Sequence, residues 1–425
     1  MNQPCFVHAA DLHLDTPFEG VRQDAPEMAE LLRDASLDAF DRLVDLTLER
    51  GAAFLAIAGD IYDGADRGLR AQLRFRDGLA RLAEAGTPTF VVHGNHDPVE
   101  DGWSAIRSWP DAVTIFSAHE VETRRVELGG APFATVHGIS YPQRAVHENL
   151  ARRFARTDDP GLHVGVLHCT VGHQPEHDPY SPCTVEDLRA TGLDYWALGH
   201  IHRRAVVHRH DPWVVYSGNT QGRSPKPSEQ GAKGALVVPV EQTGGRLEPR
   251  EPEFVALDRV RFTEVAVDTD ELTEISEVAD ALATAAHDAR TGAEGRALVL
   301  RARLTGRGPV HRDLARPGVV DDLLTGLRDQ VAGGDPPVWW DRVRDETRPP
   351  LDREALRARP DVTGEVVRLV DRLHAEPDEL ARLGGEADRI LRSLGHDVPE
   401  GRPLADLLGE AETRALDALD DGAGG

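Results

Sequence analysis

Lysine is almost missing from this 425-residue chain: Lys226 and Lys233 stand alone among 48 basic residues, and the other 46 are arginine. With abundant alanine, glycine and aspartate, that skew reads as coding bias. Cysteine is nearly as scarce. Cys5, Cys169 and Cys183 form no CxxC pair and are odd in number, and no charged-then-apolar leader precedes "MNQPCFVHAADLHLD". Both absences argue for a reducing cytosol. No apolar run approaches the ~20 residues needed to cross a bilayer, so a soluble protein without membrane attachment is expected. A phosphate-cradling ATP loop is also missing, and any dependence on ATP must come from a partner.

Positive charge is in deficit as well, with 73 acids against 48 bases and a formal net charge of −25. Such a surface repels nucleic acid unless arginines gather locally or metal ions offset the field. Taken alone, composition argues against DNA. Hydrophobic residues make up 40% of the chain, enough for well-filled cores, and the length predicts two or three compact units.

What is present is a phrase repeated five times: a short apolar run, an abrupt polar cluster, then a helical stretch. "CFVHA" meets "ADLHLD", "AAFLAIA" meets "GDIYDG", "TPTFVV" meets "HGNHDP", "HVGVL" meets "HCT", and "YWAL" meets "GHIH". With helices expected at 36–50 and 69–85, the pattern predicts an α/β sandwich. In such folds chemistry gathers beyond the carboxyl ends of the strands, where all five clusters fall. Past about residue 240 the clusters cease. Strands at 259–268, 296–304 and 338–347 alternating with helices at 271–290 and 319–332 predict a small α+β domain. From about 349 the periodicity is helical, ending in an acidic, Gly-rich tail expected to be disordered. The expected organisation is therefore residues 1–250, 256–348 and 349–425.

Each cluster alone has an ordinary alternative. Asp11 and His13 suit a turn or helix cap, and the Gly-Asp of Asp60 is common turn chemistry. His168 alone fits a hydrogen-bonded histidine at a strand end. His200 and His202, at i and i+2 in an extended segment, point the same way and bring two imidazoles together. Five clusters at one edge are a different matter. They supply aspartates, histidines and Asn95, a hard-oxygen and imidazole set suited to manganese, iron or zinc rather than to calcium or thiolate-bound zinc.

The series "DLHLD", "GDIYDG", "GNHD", "LHCT", "GHIH", in that order over residues 11–202, resembles the calcineurin-like metallophosphoesterases. "HAADLHLDTPF" and "YSGNTQGRS" are most similar to the SbcD and YhaO group of DNA repair exonucleases. The resemblance implies a four-layered α/β/β/α sandwich with a capping domain facing DNA and a helical module. It implies one metal at Asp11, His13 and His202, a second at Asn95, His168 and His200, and Asp60 bridging the two. Two neighbouring dications repel and need a shared anion, which a bridging carboxylate supplies. His96 is implied as proton donor or charge stabiliser at the substrate, with Asp63 as its partner and Asp97 as the rival. Asp97 equally suits a cap.

The function so implied is manganese-dependent hydrolysis of DNA in repair, with iron or zinc as other candidate metals. The implied partners are DNA, a second copy of the chain, and a coiled-coil SMC-like ATPase bound through the C-terminal helices. The competing functions are a phosphatase or cyclic-nucleotide phosphodiesterase of the same superfamily, and a non-catalytic scaffold. Protein phosphatases end the third motif in Glu where this chain has Asp97, and a scaffold is expected to lose ligands. Either arginines within 67–81 or 296–316 form a track for DNA, or a partner delivers it. Arg203 and Arg204, directly after "GHIH", are candidates for backbone contact or for a solvated rim. His8, His93, His137 and His163 read as packed and hydrogen-bonded, and Trp339 and Trp340 as strand aromatics rather than base-stacking platforms. On the helix over "VTGEVVRLVDRLHAE", Val362, Val366, Leu369, Val370 and Leu373 form an apolar stripe that must cover something.

Overall fold

The computed structural model describes residues 3–15, 26–64, 68–100, 104–173, 178–393 and 403–421. The chain divides into two compact units. The first comprises residues 1–268, 274–305 and 313–346, the second residues 269–273, 306–312 and 347–425.

The first unit opens with Cys5–Ala9 (β1), helix Pro26–Glu49 (α1), Leu55–Ala58 (β2), helix Leu69–Glu84 (α2), Thr89–Val92 (β3) and Val113–Ile115 (β4). These four strands lie parallel and in sequence order. Then follow Glu122–Leu128 (β5), Ala131–Gly138 (β6), Leu162–His168 (β7), helix Val185–Ala190 (α3), Tyr195–Gly199 (β8), Ala205–His208 (β9) and Trp213–Tyr216 (β10), a six-stranded sheet of order β5-β6-β7-β8-β10-β9. The chain returns to complete the first sheet with Gly234–Thr243 (β11), Arg246–Pro249 (β12) and Glu253–Ala256 (β13), β11 lying antiparallel to β1.

Strands such as "LAIA" and "TFVV" are continuously apolar because both of their faces are covered. On one face Val7, Leu55, Ile57 and Val91 meet Phe40, Leu43, Phe75 and Leu79 of α1 and α2. On the other, Phe6, Phe54 and Phe90 meet Phe133, Val164, Ala197 and Val215 of the second sheet, with Phe6 and Phe54 stacked at 4.7 Å. The outer face of the second sheet, including Trp196, Leu198 and Tyr216, is covered by Leu188 of α3 and by the segment around Leu150. The result is the α/β/β/α order of four layers.

Val260–Asp268 (β14), Ala297–Thr305 (β15) and Val338–Asp345 (β16) form a separate three-stranded sheet, all parallel. Ile275–Gly292 (α4) and the helix Val319–Val331 connect them. Trp340 is fully buried on this sheet, and Trp339 is half-buried with the Arg328 guanidinium 4.2 Å above its ring. The first half of α1 belongs to this sheet too: Met28, Leu32 and Ala35 pack with Val260, Phe262 and Val299. On α2, Arg70, Arg74 and Arg81 pair with Asp34, Asp41 and Asp45 of α1, so these arginines are matched by acids rather than gathered into a basic track. Arg67, in the same stretch, lies outside the described residues.

In the second unit, helices span Arg353–Ala358, Val362–Ala375, Pro377–Ser393 and Leu404–Asp421. Arg353 joins three of them, bonding Asp371 at 2.8 Å and Glu412 at 3.0 Å. The apolar stripe divides: Val370 and Leu373 are buried, Val366 is partly covered, and Val362 and Leu369 are 64% and 45% exposed. The last four residues, part of the tail expected to fray, lie outside the described residues. Among the described residues no helix is long and apolar enough to cross a membrane.

Candidate metal centre

The parallel registers bring the motifs together. Ala9 faces Ile57 and Ala58 faces Val92 in the first sheet, and His168 faces Gly199 in the second, so five strands end side by side. Beyond the strand ends the pairing continues, Asp11 N–H donating to Gly59 O and His13 N–H to Asp60 O, each at 3.0 Å. The sheets are joined by the His200 N–H, which donates to Asp11 Oδ1 at 3.0 Å. Asp11, His13, Asp60 and His200 all adopt positive φ, at 52°, 43°, 51° and 96°. A non-glycine residue there costs of order 1–3 kcal/mol, and four in one place mark geometry imposed for the sake of the site. Glycine is required beside them. A Cβ on Gly94 would stand 2.3 Å from Asp60 Oδ1, and one on Gly199 would stand 1.8 Å from Ala58 O.

Two groups of lone pairs result. In the first, Asp11, His13 and His202 present ligand atoms within 4.8 Å of one another. His202 Nδ1 lies 2.6 Å from Glu229 Oε1, a carboxylate that accepts, so the proton sits on Nδ1 and Nε2 keeps its lone pair. That Nε2 lies 3.2 Å from His13 Nε2, while His13 Nδ1 is buried without a partner. In the second group, His168 Nδ1 donates to Ala58 O at 3.0 Å, and the lone pair on Nε2 faces Asn95 Oδ1 at 2.9 Å and Asp60 Oδ2 at 3.4 Å. Acceptors converging on acceptors repel unless a cation stands among them. Asp60 Oδ2 is also 3.8 Å from His13 Nε2, so one carboxylate reaches both groups. His200 joins the second, its ring 5.2 Å from that of His168 and its Nε2 donating to Asp178 O at 3.1 Å.

Electrostatics agree. Burial pushes the Asp11 carboxyl well above its usual range, helped by the charge of Asp60, and pushes Asp60 up to about 7. Divalent cations would remove this penalty by neutralising carboxylates that water cannot reach. The donor set, its converging lone pairs and its buried carboxylates fit a pair of divalent ions.

His96 stands beside these two groups, its ring 5.0 Å from that of His13. Asp63 Oδ1 takes His96 Nδ1 at 2.5 Å, and Arg223 Nη1 donates to Asp63 Oδ2 at 2.8 Å. Burial opposes the His96 cation, but the Asp63 hydrogen bond and the charges of Asp60 and Asp63 outweigh it and raise the imidazole pKa. Asp97 is engaged elsewhere: it accepts from Gly94 N and Ile61 N, both at 2.9 Å, and from His93 Nδ1 at 3.0 Å, capping the turn. His8 bonds Tyr195 Oη at 3.1 Å, and His137 and His163 bond each other at 3.0 Å, as packed histidines. Arg203 and Arg204 are exposed, and Arg204 lays its guanidinium 4.3 Å over Phe254.

Three supporting residues were given no role by the sequence: Glu229 and Lys233 lie outside every motif, and Arg223 lies within "YSGNTQGRS". Lys233 Nζ donates to His202 O at 2.8 Å and Ser228 O at 2.5 Å. A faint signal did exist, since both of the chain's lysines fall within 226–233. A buried compact ammonium reaching two carbonyls is not replaceable by the larger guanidinium fork.

A fold with two stacked sheets and candidate ligand groups at their common edge is that of a metal-dependent phosphoesterase. Residues 6–204 match the family model described as calcineurin-like phosphoesterase, and residues 262–348 the one described as the middle domain of metallophosphoesterase YhaO. The chain belongs to the calcineurin-like metallophosphoesterases, in the SbcD/YhaO-like group. It is 36% identical over 342 residues to the uncharacterized metallophosphoesterase YhaO of Bacillus subtilis, covering 80% of this chain and 81% of that one. It is 24% identical over 249 residues to the SbcD component of the SbcCD nuclease of Bacillus subtilis, covering 50% of this chain and 60% of that one. To the DNA double-strand break repair protein Mre11 of Thermoplasma acidophilum it is 26% identical over 196 residues, 44% of this chain and 50% of that one.

Proposed function

We propose that this phosphoester hydrolase is a DNA nuclease acting in repair, cleaving phosphodiester bonds at ends or in single strands within the cytoplasm. The observation that carries the reading is the meeting of two lone-pair groups at Asp60 beside the His96–Asp63 pair. Asp11, His13 and His202 would hold one ion, Asn95, His168 and His200 the other, and Asp60 both. Divalent ions bound there, manganese in this reading with iron or zinc as alternatives, would supply Lewis acidity and positive charge at the phosphoryl group. His96, with Nδ1 given to Asp63, has Nε2 left to carry a proton to the departing oxygen. Its raised pKa keeps that proton in place closer to neutrality.

DNA as the substrate is supported by the likeness to a nuclease and to a DNA double-strand break repair protein, and by the three-stranded sheet. There Arg301 pairs in register with Arg342, and Arg303 with Arg344. Like charges opposite one another across strands are destabilising, and four on one face of so acidic a chain suit a phosphate backbone. Acids meet two of them, Asp341 pairing with Arg301 at 2.6 Å and Glu346 and Glu264 with Arg303 at 3.5 Å and 3.7 Å, while Arg342 and Arg344 stay exposed. Pairing of two copies of the chain belongs to the same reading. So does a coiled-coil SMC-like ATPase, with exposed Val362, Leu369, Leu383 and Ile390 as the surface that would take it.

The test is cleavage of 3′- and 5′-labelled single-stranded and duplex DNA with Mn, Mg or Zn, beside bis(4-nitrophenyl) phosphate. Faster turnover of DNA, lost when Arg342 and Arg344 become Gln, supports the reading. Intact DNA with rapid turnover of the aryl diester replaces it with a small-phosphodiester hydrolase. Pull-down by a co-expressed SMC-type ATPase, compared between the natural chain and Val362→Glu/Leu369→Glu, tests the partner.

A further inference from the structure

Behind the ligands runs a series of contacts that belongs to no metal-binding motif. His202 Nδ1 donates to Glu229 Oε1 at 2.6 Å, and Glu229 Oε2 accepts from Asn219 Nδ2 at 2.7 Å and from Arg223 N–H at 3.0 Å. From the same Arg223, Nη1 donates to Asp63 Oδ2 at 2.8 Å, and Asp63 Oδ1 bonds His96 Nδ1 at 2.5 Å. Arg223 therefore works with both its backbone, toward a ligand, and its side chain, toward the group beside the ligands.

The segment carrying it is held at both ends. Gln221 Nε2 donates to Val260 O at 2.6 Å and Gln221 Oε1 accepts from Arg259 N–H at 2.7 Å, tying it to the start of β14. Lys233 ties the far end to the His202 carbonyl. Asp63 lies 160 residues from Arg223 and follows Asp60 in a loop of its own. A carboxylate gripped on one oxygen by His96 alone can rotate with it. Gripped on the other oxygen by an anchored arginine, it has one orientation and gives His96 one orientation.

We propose that Arg223 is a positioning residue: through Asp63 it fixes the His96 imidazole, and through Glu229 it keeps that imidazole in register with His202. The proposal rests on the reading of His96 as proton donor to the leaving oxygen. A misdirected donor penalises a substrate in proportion to how much its leaving group needs the proton, so a poor leaving group suffers and a good one is largely spared.

The test uses the full chain with Arg223→Ala, Arg223→Lys, His96→Ala and the double variant Arg223→Ala/His96→Ala. The substrates are bis(4-nitrophenyl) phosphate, with a good leaving group, and diphenyl phosphate, with a poorer one. Metal content is measured on every variant. For Arg223→Ala we expect kcat on diphenyl phosphate to fall about 10- to 100-fold, the range for partners that orient a functional group. We expect a much smaller loss on the nitrophenyl ester, KM within about twofold, and unchanged metal content. Arg223→Lys should recover part of the loss, and the double variant should be no slower than His96→Ala. Equal losses on both substrates, or multiplying losses in the double variant, would show a merely structural arginine and overturn the proposal. Unimpaired Arg223→Ala beside impaired His96→Ala sinks the proposal alone. Unimpaired His96→Ala on diphenyl phosphate sinks the proton-donor reading, and the proposal with it.

Discussion

Glu229→Gln changes little in size and removes one charge, yet no rotamer of the new side chain can satisfy its surroundings. The three partners, His202 Nδ1, Asn219 Nδ2 and Arg223 N, all donate. An amide has one accepting end. Turned toward His202, it leaves two buried donors facing its NH₂. Turned the other way, it drives the His202 proton from Nδ1 to Nε2 and abolishes the lone pair that His202 would offer a metal ion. The native carboxyl is held down at about 2, below its ordinary 4.5: burial opposes ionisation, but the His202 hydrogen bond, the charge that ring carries once protonated in acid, Lys233 and Arg223 outweigh it. At about 1.4 kcal/mol per tenfold change in protonation, that displacement amounts to about 3 kcal/mol of native stability. A depressed carboxyl contributes its stability above the unfolded value, so the contribution is complete above 4.5 and fades as pH falls through about 2. Urea unfolding of the chelator-treated variant at about pH 7 should show a deficit of about 3 kcal/mol that narrows as the solution is acidified below the carboxyl's unfolded pKa. Calorimetric Mn titration should show affinity weakened about 10- to 100-fold. A deficit that stays constant through acidification, or a variant as stable as the natural chain near neutrality, would refute the reasoning.

Other perturbations separate the roles within the site. Asp60→Ala removes the carboxylate within reach of both ligand groups, so metal content and hydrolysis should fall together. Two tightly held ions per chain by elemental analysis would contradict the bridging assignment. His96→Ala should keep its metal and lose roughly 10²-fold or more in turnover, the scale of a positioned acid or base. Asn95→Ala should instead lose the second ion and recover in excess Mn, and equal metal loss in the two variants would dissolve the distinction. Gly199→Ala forces a Cβ to 1.8 Å from a backbone carbonyl and 3.0 Å from His168 Nδ1. Its urea midpoint should fall by the equivalent of about 1–3 kcal/mol or more with loss of metal, and an unchanged midpoint would mean the strand ends are looser than their register implies.

The residues proposed as ligands were visible in the linear order. Asp11, Asp60, Asn95, His168 and His202 each follow a short apolar run, and a strand buried on both faces can deliver a side chain only at its end. The helices over 69–85 and 319–332, and the strands of the three-stranded sheet, were legible for the same reason, since their apolar spacing is set by neighbours along the chain. What tertiary structure alone decided depends on contacts between distant segments. The helix expected at 36–50 begins at Pro26, because Met28 and Leu32 find Phe262 and Val299, more than 200 residues onward, to bury against. The three strands after residue 259 run parallel, a direction that their spacing does not encode. Val370 turned inward while Val362 stayed in solvent, although both lay on one expected stripe. The recruitment of Glu229 and Arg223 followed from loops that meet only when two sheets are stacked. Hydrogen bonds across such separations carry no periodicity and need no motif, so candidate ligands could be proposed along the chain, while the Glu229 carboxylate behind His202 could not.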